Sequence, residues 1–198
     1  MTERIATDLR HYLQQSRDAL LRALDGVSEY DARRPLTPSG TNLLGLVKHL
    51  AGLESSYLGD CVGRPSPLRF PWVEDGSVWD GADMWALPAE SRDYLVGLYQ
   101  SAWKHSDVSI AELPLDTPGH VEWWPPERQE TTFGHLLARL VAETAQHAGH
   151  ADILRETIDG RGGRDHDEMG DDAYWAGYVA ELQAAADVYR PDSPVLAP

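Results

Sequence analysis

The chain has 198 residues, a formal net charge of −15 and a single cysteine, Cys61. This length is typical of one domain with a substantial core, and one cysteine excludes an intrachain disulfide framework. The acidic charge argues against nucleic acid or anionic lipid as a general partner, because both bind cationic surfaces. No run reaches the roughly 18 apolar residues of a membrane span, and the polar N-terminal stretch is unlike a signal peptide. We therefore expect a cytoplasmic protein, without a membrane partner, whose residues 1–198 form a single domain.

Apolar residues spaced three and four apart predict helices in the first half of the chain. The first helix covers residues 3–26, where Gly26 is suited to end it. After a linker rich in Pro, Ser and Gly, the second helix begins at residue 41 or 42 and reaches about Cys61. Residues 62–87 contain several Pro, Gly and Trp residues, which predicts a long ordered loop.

The second half of the chain predicts three further helices. They cover residues 88–113 with Pro88 in the first turn, residues 132–158 after a cap at Thr131 or Thr132, and residues 171–189. No segment shows the sustained alternation of polar and apolar residues that is typical of strands. The sequence thus predicts an all-α fold, a four-helix bundle with one long crossover loop and an extra C-terminal helix.

The predicted fourth helix carries several polar residues in the segment AETAQHAGHAD. On a helical wheel of about 100° per residue, His147 lies about 20° and Glu143 about 60° from Leu140, at the apolar face. Residues four apart on a helix are neighbours, so this carboxylate and imidazole are placed to bind one ion. His49, at the flank of the apolar face of the second helix, is the natural third ligand, because metal sites in bundles use facing helices. Three mixed nitrogen and oxygen ligands leave coordination positions for water or substrate.

The same residues also have plainer interpretations. A Glu and a His four apart often form a surface pair, and a histidine such as His49 is most often partly buried with a hydrogen bond. His150 lies at the edge of the apolar face and is interpreted as a catalytic proton carrier or an alternative ligand. Arg155 lies inside that face, where a guanidinium needs an anionic partner. This partner is either an acid such as Glu143 or Asp152, or a substrate carboxylate.

Two segments resemble a known family, LLGLVKHLAGLE in the second helix and TTFGHLLARLVAETAQHAGHADILRETIDGRGG in the fourth. They resemble the DinB-like metalloenzymes, in particular the actinobacterial mini-circle branch, over nearly the whole chain. The resemblance implies an up-down-down-up bundle that holds a divalent ion, zinc or nickel, on one residue of the second helix and two of the fourth. By motif these are His49, Glu143 and His147. Many members have three histidines, whereas the related mycothiol-dependent maleylpyruvate isomerase has a glutamate in one place.

The resemblance also implies a reaction. A low-molecular-weight thiol of the mycothiol type would be the co-substrate of a transferase or isomerase that acts on a small electrophile, and the ion would lower the pKa of that thiol. In this reading His150 shuttles a proton, Arg155 holds a carboxylate, and Trp123 and Trp124 line the pocket for a small-molecule substrate. Metal-dependent hydrolysis and metal or ligand binding without turnover are the alternatives. A homodimer is compatible with the fold.

Overall fold

A computed structural model describes residues 2–163 and 165–190, and the chain divides into two compact units after Gly163. The helices of the first unit are α1 (Thr2–Arg22), α2 (Glu29–Arg33), α3 (Leu43–Leu58), α4 (Pro71–Glu74), α5 (Arg92–Glu112) and α6 (Phe133–Asp159). Short 3₁₀ turns cover Asp60–Val62, Ser77–Asp80 and Pro126–Arg128. The second unit contains α7 (His166–Met169) and α8 (Asp172–Asp187). Within the described ranges no helix is long and apolar enough to cross a membrane.

Side-chain caps fix where the long helices begin. Asn42, Ser91 and Thr132 each accept a hydrogen bond from a backbone N–H in the first turn of α3, α5 and α6. Gly160 ends α6 with a φ of 77°, a conformation that favours glycine. The expectation that α5 begins at Pro88 is wrong, because the capping side chain is that of Ser91, and the preceding residues form a turn.

Helix α6 runs parallel to α1 and antiparallel to α3. Late in α6, Arg155 donates hydrogen bonds to the carbonyls of Ala23 and Asp25, which directly follow α1. Early in α6, Arg139 donates to the hydroxyl of Tyr57, which lies at the end of α3. Each contact joins two known positions along the helices, so together they set the directions of three helices.

Helices α3 and α5 run in the same direction, so the chain must return along the bundle between them. Lys48, early in α3, pairs with Glu90, just before α5, at 2.9 Å. His105, late in α5, lies 2.8 Å from the carbonyl oxygen of Arg64, which follows α3. The connection is the expected long crossover, and the up-down-down-up order of the all-α bundle is confirmed.

A small antiparallel ribbon precedes α6. Strand β1 (Pro118–His120) pairs with β2 (Glu130–Thr132), and Gly119 lies opposite Thr131. The sequence gives no sign of this ribbon, because three-residue strands are too short to show an alternating pattern. The ribbon leads directly into α6 and so fixes where this helix starts.

A buried ion pair ties three helices of the bundle together. The side chains of Arg17 in α1 and Glu54 in α3 are both fully buried and contact each other. Arg17 also donates to Ser106 and to Asp107 in α5, at 2.9 and 3.0 Å. The apolar core surrounds this network in two clusters, one of which includes Leu50 and the other Leu140.

The second unit is built around α8. Asp171 caps this helix by accepting a hydrogen bond from the backbone N–H of Tyr174. No residue of α8 is buried, and the rings of Tyr174 and Tyr178 stack with their centroids 6.1 Å apart. The predicted C-terminal helix is thus confirmed, with ends within two residues of those expected.

Candidate metal centre

Three side chains from two helices converge at one point of the first unit. His49 of α3 and Glu143 and His147 of α6 each bring a ligand atom to within 4.8 Å of the others. Glu143 Oε1 lies 3.4 Å from Nε2 of His147 and 4.0 Å from Nε2 of His49. Bonds of about 2.1 Å in tetrahedral geometry place the ligand atoms of a zinc ion about 3.4 Å apart. The observed separations therefore fit a single divalent ion after small side-chain movements.

The packing of α6 explains why these groups face inward without being sealed from solvent. Leu140, Thr144 and Ala148 are buried on the core face of α6, and the candidate ligands lie on the flank of that face. The side chains of Glu143 and His147 are 24% and 12% exposed. Partial burial strengthens electrostatic interactions at the cluster, while the remaining exposure keeps both side chains in contact with solvent.

Each candidate ligand has a second polar neighbour on the side away from the cluster. Asp83 Oδ2 lies 2.6 Å from Nδ1 of His49, and His150 Nδ1 lies 3.4 Å from Nδ1 of His147. Glu143 Oε2 faces a guanidinium nitrogen of Arg139 at 3.8 Å. Metal-binding histidines usually donate their other ring N–H in this way, so the donor set and its surroundings fit a divalent ion.

The electrostatic environment keeps His147 in the form that a ligand requires. Burial lowers the pKa of His147 below its usual value, and the adjacent His49 imidazole lowers it further, whereas the Glu143 carboxylate raises it. The net effect favours the neutral imidazole. A metal-binding imidazole must be neutral, so this shift favours the form of His147 that can bind a cation.

Of the residues predicted to line the site, His150 contacts His147 directly, and Trp124 is connected to Glu143 through Arg139. His150 is exposed one turn after His147, and the two ring centroids are 5.4 Å apart. The Arg139 guanidinium lies 5.5 Å from the ring centroids of both Tyr57 and Trp124, which are 6.0 Å apart. The ring of Trp123 contacts that of Tyr57 with a centroid distance of 5.7 Å. The catalytic role of His150 and the substrate contacts of Trp123 and Trp124 stay predictions.

Arg155 lies about two helical turns beyond His147, roughly 12 Å along the axis of α6. Its guanidinium donates to the carbonyls of Ala23 and Asp25 at 3.1 and 2.7 Å and to Asp159 at 2.8 Å. These contacts give Arg155 a structural role between α6 and the end of α1. The predicted substrate carboxylate at Arg155 stays a prediction.

Two residues of the site were not found by sequence reasoning. Arg139 precedes Glu143 by four residues, so the spacing of 139, 143 and 147 on one helix was a usable signal. Asp83 comes from the crossover between α3 and α5, where no periodicity indicates which side chain meets His49. Only the folded path of that connection reveals the contact.

The fold and the cluster define a four-helix-bundle protein with a candidate divalent-metal centre made of two histidines and a glutamate. A family model described as Mycothiol-S-transferase matches residues 8–160, which include most of α1 and all of α3, α5 and α6. The chain therefore belongs to the mycothiol S-transferase family, and the resemblance to DinB-like, mycothiol-related proteins is confirmed. No curated protein matches the sequence.

Proposed function

We propose that this protein transfers a low-molecular-weight thiol of the mycothiol type to a small electrophile at a divalent ion held by His49, Glu143 and His147. The observation that carries the proposal is the approach of these three ligand atoms to within 4.8 Å in a chain of the mycothiol S-transferase family. Two imidazoles and one carboxylate suit zinc or nickel better than calcium or magnesium, which prefer all-oxygen sites. Three protein ligands leave a position for the thiol.

A divalent ion, when bound, supplies the positive charge that lowers the pKa of an adjacent thiol, since the thiolate is the nucleophile. His49, Glu143 and His147 hold that charge in place from two packed helices. His150 is exposed and accepts the proton that leaves the thiol. The sulfur then forms a bond to the electrophilic carbon as the leaving group departs, and the proton passes to the leaving group or to solvent. Trp123 and Trp124 shield the reacting groups from water.

The only cysteine of the chain is poorly suited to supply the reacting thiol. Cys61 is buried, and its burial raises the pKa of its thiol to about 12, so it is a poor nucleophile at neutral pH. This property favours a thiol co-substrate over a cysteine of the chain.

The test is a co-substrate assay on the full chain. Chelator-treated protein is reloaded with zinc or nickel and mixed with mycothiol and chlorodinitrobenzene, and the thioether product is followed by absorbance. We expect product to form faster than the uncatalysed rate only with ion and thiol together, and the rate to fall to the uncatalysed one in His49→Ala and His147→Ala. The exposed histidine variant His11→Ala serves as the matched control and keeps full activity.

Other outcomes would contradict the proposal. Consumption of ester or amide substrates by the zinc-loaded protein in the absence of thiol would instead indicate metal-dependent hydrolysis. Binding of metal and mycothiol without turnover of any electrophile in a panel of halides, epoxides and quinones would indicate a binding protein.

A further inference from the structure

The contact between His49 and Asp83 joins a candidate metal ligand to a residue of the crossover connection. Asp83 is only 6% exposed, and its Oδ2 lies 2.6 Å from Nδ1 of His49. A carboxylate without its proton can only accept a hydrogen bond, so Nδ1 of His49 carries the hydrogen. The lone pair of the neutral ring is then on Nε2, which is the atom that faces Glu143.

Residues 84 and 85, which directly follow Asp83, are fixed against α3 by two hydrogen bonds. Asn42 Nδ2 donates to the carbonyl oxygen of Met84 at 3.1 Å, and Lys48 Nζ donates to that of Trp85 at 3.1 Å. Lys48 is itself held by Glu90 at 2.9 Å. These bonds attach the segment to the helix at two backbone positions, directly after the residue that contacts His49.

A glycine in α3 permits this close approach. A Cβ atom at Gly45 would overlap the carbonyl oxygen and carbon of Met84, so any other residue would push the segment away from the helix. Asn42, Gly45 and His49 are spaced three and four apart and lie on one face of α3. On that face, Asn42 and Gly45 hold the segment 83–85 close to the helix, and His49 presents its imidazole to Asp83.

We propose that Asp83 is a positioning residue that fixes the tautomer and the ring orientation of His49, so that Nε2 points at the cation. The inference rests on the proposed metal centre and deepens it. A carboxylate that accepts from the rear nitrogen of a histidine ligand also makes the ring a stronger donor, and loss of such a partner typically weakens metal affinity about 10- to 100-fold. Asp83 acts through His49 and touches neither the ion nor the substrate.

The experiment compares Asp83→Ala and Asp83→Asn with the wild-type chain. Zinc affinity is measured by competition with a chromogenic chelator, and the folded state of the metal-free protein is checked by its Tm. We expect Asp83→Ala to lose about 10- to 100-fold in zinc affinity. Asp83→Asn, whose side-chain oxygen still accepts from Nδ1, should lose less. Asp80→Asn changes an exposed acid of the same connection and is the matched control, with unchanged affinity.

A second readout does not depend on metal. The ¹⁵N chemical shifts of the His49 ring are recorded in the metal-free protein at about pH 8, above the usual imidazole pKa of about 6.5. We expect the Nδ1–H tautomer in the wild type and in Asp83→Asn. In Asp83→Ala the ring should shift towards the Nε2–H tautomer, which free imidazoles of histidine prefer. A buried acid with a merely structural role would change the Tm without selecting a tautomer.

The outcomes separate this inference from the proposed metal centre. If His49→Ala loses zinc while both Asp83 variants bind it as the wild type does, the positioning role is wrong and the centre stands. If His49→Ala also binds zinc normally, the proposed centre itself fails. Should Asp83→Ala not fold, the tautomer of His49 in the wild type decides the matter, because an Nε2–H tautomer there would overturn the inference.

Discussion

Replacement of Gly45 by alanine should destabilise the bundle, although alanine is the better helix former. In an open helix interior this change stabilises by about 1 kcal/mol. At Gly45 the added Cβ overlaps the Met84 carbonyl, which must move. Overpacking costs about 1 to 3 kcal/mol, and the hydrogen bonds from Asn42 and Lys48 to residues 84 and 85 contribute about 1 kcal/mol each. The expected net loss in the free energy of unfolding is about 2 to 4 kcal/mol, a drop in Tm of roughly 4 to 16 °C.

The assay is urea and thermal unfolding of metal-free protein, with Gly97→Ala as the matched control. Gly97 lies inside α5, and no atom lies within 4 Å of an added Cβ there, so this variant should be as stable as the wild type or more stable. The same displacement should carry Asp83 away from His49, so zinc affinity should fall in Gly45→Ala and not in Gly97→Ala. Equal stability and equal zinc affinity in the two glycine variants would refute the close approach of residues 83–85 to α3.

Three further predictions concern residues outside the cluster. Cys61 should resist alkylation by iodoacetamide at about pH 8 and react faster only as the pH approaches its raised pKa of about 12, because the thiolate is the reactive form. Alkylation of the folded protein as fast as that of the urea-unfolded chain would contradict this. Arg17→Met should lower the free energy of unfolding in urea by about 3 to 5 kcal/mol, because it leaves Glu54 buried without its arginine partner. The double variant with Glu54→Leu should recover much of this loss. Equal losses in the single and the double variant would disprove the coupling. Arg155→Ala should lower the free energy of unfolding by about 1 to 3 kcal/mol, because two carbonyls after α1 lose their donor, and an unchanged melt would argue against its structural role.

Periodicity and capping residues were sufficient to predict the long helices. The starts of α3 and α6 follow from Asn42 and Thr132, whose side chains accept from the first-turn backbone, and the end of α6 follows from Gly160. These signals are local, so they can be read without knowing the fold. The start of α5 was misplaced, because Pro88 and Ser91 are both acceptable near a helix start and only the folded chain selects between them.

The candidate ligands were predictable for a related reason. Glu143 and His147 lie on one helix, where spacing decides which side chains are neighbours, and His49 lies on the inward flank of the helix that faces it. Asp83 was not predictable, because its position depends on how a connection of some thirty residues folds back along the bundle. The small ribbon before α6 was not predictable either, because a three-residue strand is too short to give a periodic signal.

The metal content of the purified protein tests the central claim most directly. Elemental analysis of the full chain, together with zinc titration of chelator-treated protein, should give one zinc or nickel ion per chain. His49→Ala and His147→Ala should lose that ion, while His11→Ala should keep it. A wild-type chain that binds no divalent ion, or His49→Ala and His147→Ala variants that bind it as tightly as the wild type, would contradict the account.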